Sequence, residues 1–223
     1  MKILTSVVLA LGVAAAAPAQ AAPLAVVELF TSQSCSSRPP ANASLAAVAG
    51  RPDVLALSFG VTYWDYLGWK DTFAKPQFTQ RQVAYEAGLG HGGPFTPQIV
   101  VNGARDTVSD RSEVERLIAA SHLAGPAIAT QGNVVFVSAA AAQGDTDVWL
   151  VRYDPRTIQV PVARGENEGV TLAHRNVVHE LTRLGAWTGQ AAHFPISAAP
   201  AGLATAVLIQ KPHGGAILAA WKS

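Results

Sequence analysis

The chain's one cysteine, Cys35, sits in a setting that suits thiol chemistry. It follows an apolar run, Val26-Val27-Glu28-Leu29-Phe30, and a polar turn, Thr31-Ser32-Gln33-Ser34. It precedes Ser36-Ser37-Arg38-Pro39-Pro40. This order predicts a strand, a turn and then a cysteine at a helix start. Pro39 and Pro40 would fall in the first helical turn, where a missing N–H costs little. Positive potential at a helix N-terminus lowers a thiol pKa, and the thiolate is the nucleophile. Arg38, one turn on, would add a fixed charge favouring the thiolate, or would lie in solvent as a surface charge. Cys35 and Arg38 are therefore the catalytic candidates. The alternative is an inert structural thiol, since cysteine is among the most buried residue types. Arg38 also stands where the second cysteine of a C-x-x-C pair would be. A dithiol–disulfide cycle within the chain needs two sulfurs and is excluded.

Other residues could line a site around that thiol. Tyr63, Trp64, Tyr66 and Trp69 form a dense aromatic stretch. They would wall a substrate groove, or else cover a sheet as core. Thr96-Pro97 precedes the apolar run Gln98-Ile99-Val100-Val101 and the turn Asn102-Gly103. Of the six histidines, His91 in a Gly- and Pro-rich loop is the best single candidate to approach the thiol. Cys35 and His91 together give only two metal ligands, too few for a structural site, so no metal is implied. His174 and His179 are five apart on a predicted strand, and strict alternation sends them to opposite faces. Gly88, Gly90, Gly92 and Gly93 lack the strand, helix and Lys-Ser/Thr of a phosphate loop, so no nucleotide cofactor is implied either.

The elements that must position these residues divide into two patterns. Residues 25–30, 54–59 and 98–101 read as strands, and residues 40–49, 78–87 and 112–120 as helices, an order that argues for a mixed α/β sheet. After about Ala124-Gly125-Pro126 the chain reads as strands alone: 134–137, 148–153, 157–162, 170–181, 204–209 and 216–221. Turn clusters such as Asp154-Pro155 separate them. This argues for an antiparallel, sandwich-like sheet. The expected division is 1–21, 22–124 and 125–223, the last an independent domain or an extension of the second.

Residues 1–21 read as a secretory signal, with Lys2, an apolar stretch and Ala19-Gln20-Ala21 as the cleavage site, giving a periplasmic or secreted protein cut near Ala21-Ala22. That stretch is short for a spanning helix, which needs about 20 apolar residues. An integral membrane protein is therefore not expected. The formal charge of +1 falls to zero when the leader's one lysine is removed. Nothing in that balance points to nucleic acid as a partner.

Taken together, Glu28-Leu29-Phe30-Thr31-Ser32-Gln33 with Cys35-Ser36-Ser37 and Pro39-Pro40 resembles the DUF1223 family of exported thioredoxin-like proteins. So do Tyr63 to Asp71, Phe78-Thr79-Gln80-Arg81-Gln82, Thr96-Pro97-Gln98 and Gly165-Glu166-Asn167-Glu168-Gly169. The resemblance implies a thioredoxin-like core with an appended β-rich part. It implies that Pro97 is cis, opening the strand that faces Cys35. Thr96 and Pro97 would hold a partner's backbone, with Tyr63, Trp64 and His91 nearby. It also implies departures: a cysteine at Arg38, a histidine at Gly60, an aspartate at Thr62, a glycine at Ser34 and an aspartate at Asn42 are the family's usual residues. If the second strand ends near the first helix, the missing cysteine, histidine and aspartate would cluster at one site. Two functions follow. One is a monothiol oxidoreductase in which Cys35 attacks the disulfide of a protein or small thiol, or a peroxide. The other is a non-catalytic binding module in the cell envelope that keeps the fold and holds a protein partner.

Overall fold

The computed structural model describes residues 24–35, 39–141 and 144–223. The signal-peptide reading and the assignment of a role to Arg38 lie outside the described residues.

Among the described residues eleven strands and three α-helices occur in the order β1 (Ala25–Thr31), α1 (Pro39–Ala49), β2 (Val54–Gly60), α2 (Pro76–Leu89), β3 (Gln98–Val101), β4 (Arg105–Thr107), α3 (Arg111–Ala119), β5 (Ile128–Gln131), β6 (Val134–Val137), β7 (Thr146–Pro161), β8 (Thr171–Trp187), β9 (Ala192–Pro195), β10 (Ala204–Gln210) and β11 (Ile217–Lys222). The helices start and stop where local chemistry says they should. α2 takes Pro76 at its first turn and ends at Gly90, whose left-handed backbone turns its N–H back to the Glu86 carbonyl. Asp110 caps α3 by accepting from the N–H groups of Ser112 and Glu113.

Eight strands form one mixed sheet in the order β11-β10-β7-β8-β2-β1-β3-β4, and β5, β6 and β9 form a separate antiparallel sheet. β1 and β2 run parallel, from Ala25↔Val54 to Thr31↔Gly60, and every residue in both is buried, as expected of strands covered on two faces. β3 lies antiparallel to β1 with Phe30 opposite Gln98, so the start of β3 sits beside the end of β1. Strands from both sides of residue 124 share the larger sheet, because β8 lies parallel to β2 with Val177 opposite Ser58.

Alternation along these strands splits the core in two. Val27, Leu29, Ile99 and Val101 pack against Leu45 and Val48 of α1 and Val114 and Leu117 of α3. Val26, Phe30, Leu57, Phe59 and Val100 pack on the other face against Phe78 and Tyr85 of α2. The small sheet uses Val135 and Val137 to cover Leu150, Val207 and Ile209.

Two expectations are corrected here. Asp154-Pro155 does not separate two strands. It lies within the 16-residue β7 as an irregularity, where the register to β8 shifts between Asp154 and Thr157. A bulge accommodates a proline that a regular ladder would exclude. His174 and His179 are not divided between faces. That same shift, with the left-handed Asn176, lies between them, a second shift falls at His179 itself, and both rings pack edge-on against Phe73, at 5.6 and 6.2 Å between centroids.

Candidate functional site

Cys35 lies four residues before the first residue of α1, at the end of a turn that leaves β1. It is buried, with 6% of its surface exposed. The turn is gripped from two sides. On one side is the segment that follows β2, carrying a 3-10 turn at Asp65–Leu67. Asp71 accepts from the backbone N–H of Gln33 at 2.6 Å, and Gln33 Nε2 donates to Thr72 Oγ1 at 2.9 Å. Trp69 Nε1 donates to Gln33 Oε1 at 2.9 Å, and Ser34 Oγ donates to the Trp69 carbonyl. On the other side is the loop between β7 and β8. Asn167 is buried there, and its Nδ2 donates to the carbonyls of Gln33 at 2.9 Å and Cys35 at 2.8 Å. Both Nδ2 hydrogens are thereby used.

The remaining sequence-derived candidates gather around Pro97. The Thr96–Pro97 bond is cis, and Pro97 is buried. Trp64 Nε1 donates to Thr96 Oγ1 at 2.7 Å. Tyr63 donates to Gln82 Oε1, and Gln82 Nε2 donates to the Phe95 carbonyl and to Gln98 Oε1. Gln98 Nε2 in turn donates to Asp106, whose Oδ2 also lies 2.8 Å from His91 Nε2. Two hydrogen-bonded sets, Trp64 with Thr96 and Tyr63 through Gln82, Gln98 and Asp106 to His91, thus flank Pro97 at the start of β3, joined by the Tyr63–Trp64 ring contact at 5.8 Å. Tyr66 stacks on Trp64 at 6.0 Å and is 76% exposed, so this group ends in an open aromatic surface.

Gly60, Thr62 and Asn42 each make a specific contact. Gly60 pairs with Ala74, and a Cβ at position 60 would lie 2.7 Å from the Ala74 nitrogen and 2.8 Å from the Phe73 carbonyl carbon. The backbone of residues 73–74 fills the space a side chain would need. Thr62 turns to α2, where its hydroxyl lies 3.0 Å from Thr79 Oγ1. Asn42 donates to the Ala173 carbonyl of β8 at 3.1 Å.

A second polar centre was legible only in part. Glu28 stands inside an otherwise apolar strand, and a buried charge requires a partner. That partner is Arg81 of α2, whose Nε lies 2.7 Å from Glu28 Oε1 with both side chains buried. Arg81 also donates to the Tyr85 hydroxyl at 2.9 Å and to Gln210 Oε1 at 3.1 Å. The Tyr85 hydroxyl donates to Glu28. Burial is the largest influence and opposes the guanidinium charge, but Glu28 and Tyr85 together outweigh it and hold the Arg81 pKa above its ordinary value. Burial first, then Glu28, pushes the Tyr85 hydroxyl well above 10 despite the opposing pull of Arg81. The phenol therefore remains a donor at neutral pH.

Among the described residues no helix is long and apolar enough to cross a membrane, and no three His, Cys, Asp or Glu side chains converge as a metal site. A crystal structure of a protein from Agrobacterium tumefaciens is 31% identical and superposes with a TM-score of 0.73, covering 92% of this chain and 95% of that one. HBP35 of Porphyromonas gingivalis shares the fold at 13% identity and a TM-score of 0.58, over 90% of this chain and 74% of its own. No curated protein matches. The model of a family described as proteins of unknown function matches residues 26–210, and the chain belongs to that family, DUF1223.

Proposed function

We propose that this chain is an exported, thioredoxin-like binding module that holds a protein partner without thiol–disulfide turnover. The thioredoxin-like reading is supported by the strand order β2-β1-β3-β4, by helices on both faces and by the cis Thr96–Pro97 bond at the start of β3. Export rests on the leader pattern of residues 1–21. One observation carries the non-catalytic reading: Cys35 is 6% exposed in a turn that Asn167 and Asp71 hold from opposite sides. Thiol exchange needs an in-line approach to sulfur and room for a mixed disulfide. A partner strand would instead lie along Thr96 and Pro97, against Trp64 and the exposed Tyr66.

The same cis bond favours a second reading, in which Cys35 acts alone. Its thiolate would attack a partner disulfide, forming a mixed disulfide and releasing the partner's other sulfur as a thiolate. An external thiol would then release Cys35. The alkylation rate of Cys35 against pH, in wild type and Arg38→Ala, separates the two. The binding module predicts a slow thiol with a pKa at or above the ordinary value of about 8.5, and partner capture that survives Cys35→Ser. A fast thiol with a depressed pKa that rises in Arg38→Ala overturns it in favour of monothiol chemistry.

A further inference from the structure

Away from Cys35, a cavity of about 310 Å3 opens between α2, the β7–β8 hairpin and the turn after β10. Its size lies at the small end of known small-molecule sites. Trp149 and Leu181 give it an apolar wall, the buried Arg81 and Gln210 form its floor, and the half-buried Lys211 stands at its rim. Gly214, at φ +69°, lets the turn rest directly on the backbone of Ala84, where a Cβ would collide, and this contact closes one end.

The charges around the cavity do not cancel. Arg81 is balanced by Glu28, and Asp147 by Arg183 at 2.7 Å. Lys211 has no ion pair among the described residues, so the cavity carries a net positive charge at its rim. The floor has one donor in reserve. A guanidinium has five N–H groups, and the bonds of Arg81 to Glu28, Tyr85 and Gln210 use four. The fifth is on Nη1, the nitrogen bonded to Gln210, and it has no acceptor among the described residues. A Trp wall, an unbalanced ammonium and a spare guanidinium N–H are complementary to a flat apolar body bearing one carboxylate.

We propose that this cavity binds a small aromatic carboxylate, with its ring against Trp149 and its carboxylate between Lys211 and Arg81 Nη1. This adds a ligand to the binding-module reading at a site apart from Cys35, so the thiol titration and the test below fail independently. The test is calorimetric titration of indole-3-acetate into the full protein near neutral pH and low salt. Tryptamine, with the same ring and the opposite charge, is the control, and Lys211→Glu and Trp149→Leu are run in parallel with circular dichroism to confirm folding. Indole-3-acetate is expected to saturate one site, tryptamine to bind at least about tenfold more weakly, and each substitution to weaken the acid about tenfold, the scale of one charge-assisted hydrogen bond. Absence of saturable binding at millimolar acid overturns the proposal. So does equal binding of tryptamine, or an affinity unmoved by Lys211→Glu. Lys211 lies at the rim, so that variant decides the matter even if Trp149→Leu fails to fold.

Discussion

Asn167 and Cys35 lie 132 residues apart in the chain, and the side-chain amide of the first donates to the backbone carbonyl of the second at 2.8 Å. The same amide holds the Gln33 carbonyl, so one residue of the β7–β8 loop fixes both ends of the turn that carries the thiol. Asn167→Ala removes both donors and leaves two carbonyls without them. We expect a loss of about 1–3 kcal/mol in urea unfolding, the cost of leaving buried polar groups unsatisfied, and a faster alkylation of Cys35. Asn167→Asp, which cannot donate, should behave alike. An unchanged alkylation rate in both would show that this loop does not shield the sulfur.

The buried pair of Glu28 and Arg81 predicts a strongly non-additive pair of substitutions. Glu28→Met leaves Arg81 charged among Phe59, Tyr85 and Trp149, over whose rings its guanidinium lies at 5.8, 5.3 and 5.8 Å. Breaking one side of such a pair costs about 3–5 kcal/mol. The double substitution Glu28→Met with Arg81→Met removes both charges and should cost clearly less than the sum of the two single changes. Denaturant unfolding of the four proteins gives the coupling directly, and additive losses would contradict it.

Glu28 also marks how far the sequence could be read. A lone carboxylate in a buried strand demands a partner, but the partner is 53 residues away on a helix that only the packed sheet brings opposite. The long apolar runs were legible because continuous burial needs no knowledge of neighbours: β1, β2 and β10 fall where their composition puts them. β5 and β9, with the sequences IATQ and AHFP, have neither the length nor the alternation to announce themselves, and they exist as strands because β6 pairs with both. At the site, the aromatic segment and Thr96-Pro97 were legible as local patterns. The clamp from Asn167 was not, because its amide acts on backbone carbonyls, which leave no mark on composition.

Gly60 should resist replacement even by alanine. A Cβ there would press on the Ala74 nitrogen and the Phe73 carbonyl carbon, both backbone atoms that cannot swing aside. Moving them would pull on Asp71, which binds the Phe73 N–H at 2.8 Å and the Gln33 N–H at 2.6 Å. Gly60→Ala is therefore expected to lose about 1–3 kcal/mol, as overpacked sites do, and to raise Cys35 reactivity by loosening Gln33. Wild-type stability in this variant would mean that residues 71–75 adjust freely.

The last prediction concerns pH. Among the described residues His179 Nε2 is buried without a hydrogen-bond partner. Burial lowers the His179 pKa below 6.5; Asp154 pulls it back up, while Lys75 and Arg156 push it further down. The unfolded chain takes up a proton at this histidine near the ordinary value, whereas the folded chain does not until a lower pH. Between those two values the unfolded state binds more protons, so stability falls as pH falls, with a slope of at most about 1.4 kcal/mol per pH unit from this group. Well above 6.5 both states are neutral and the contribution is flat. His179→Phe keeps an aromatic ring against Phe73 and has nothing to titrate. Its unfolding free energy should track the wild type above neutrality and exceed it progressively as the pH drops below 6.5, relative to their difference at pH 8. Parallel curves for the two proteins between pH 8 and pH 5 would show that the folded state protonates His179 as readily as the unfolded chain does.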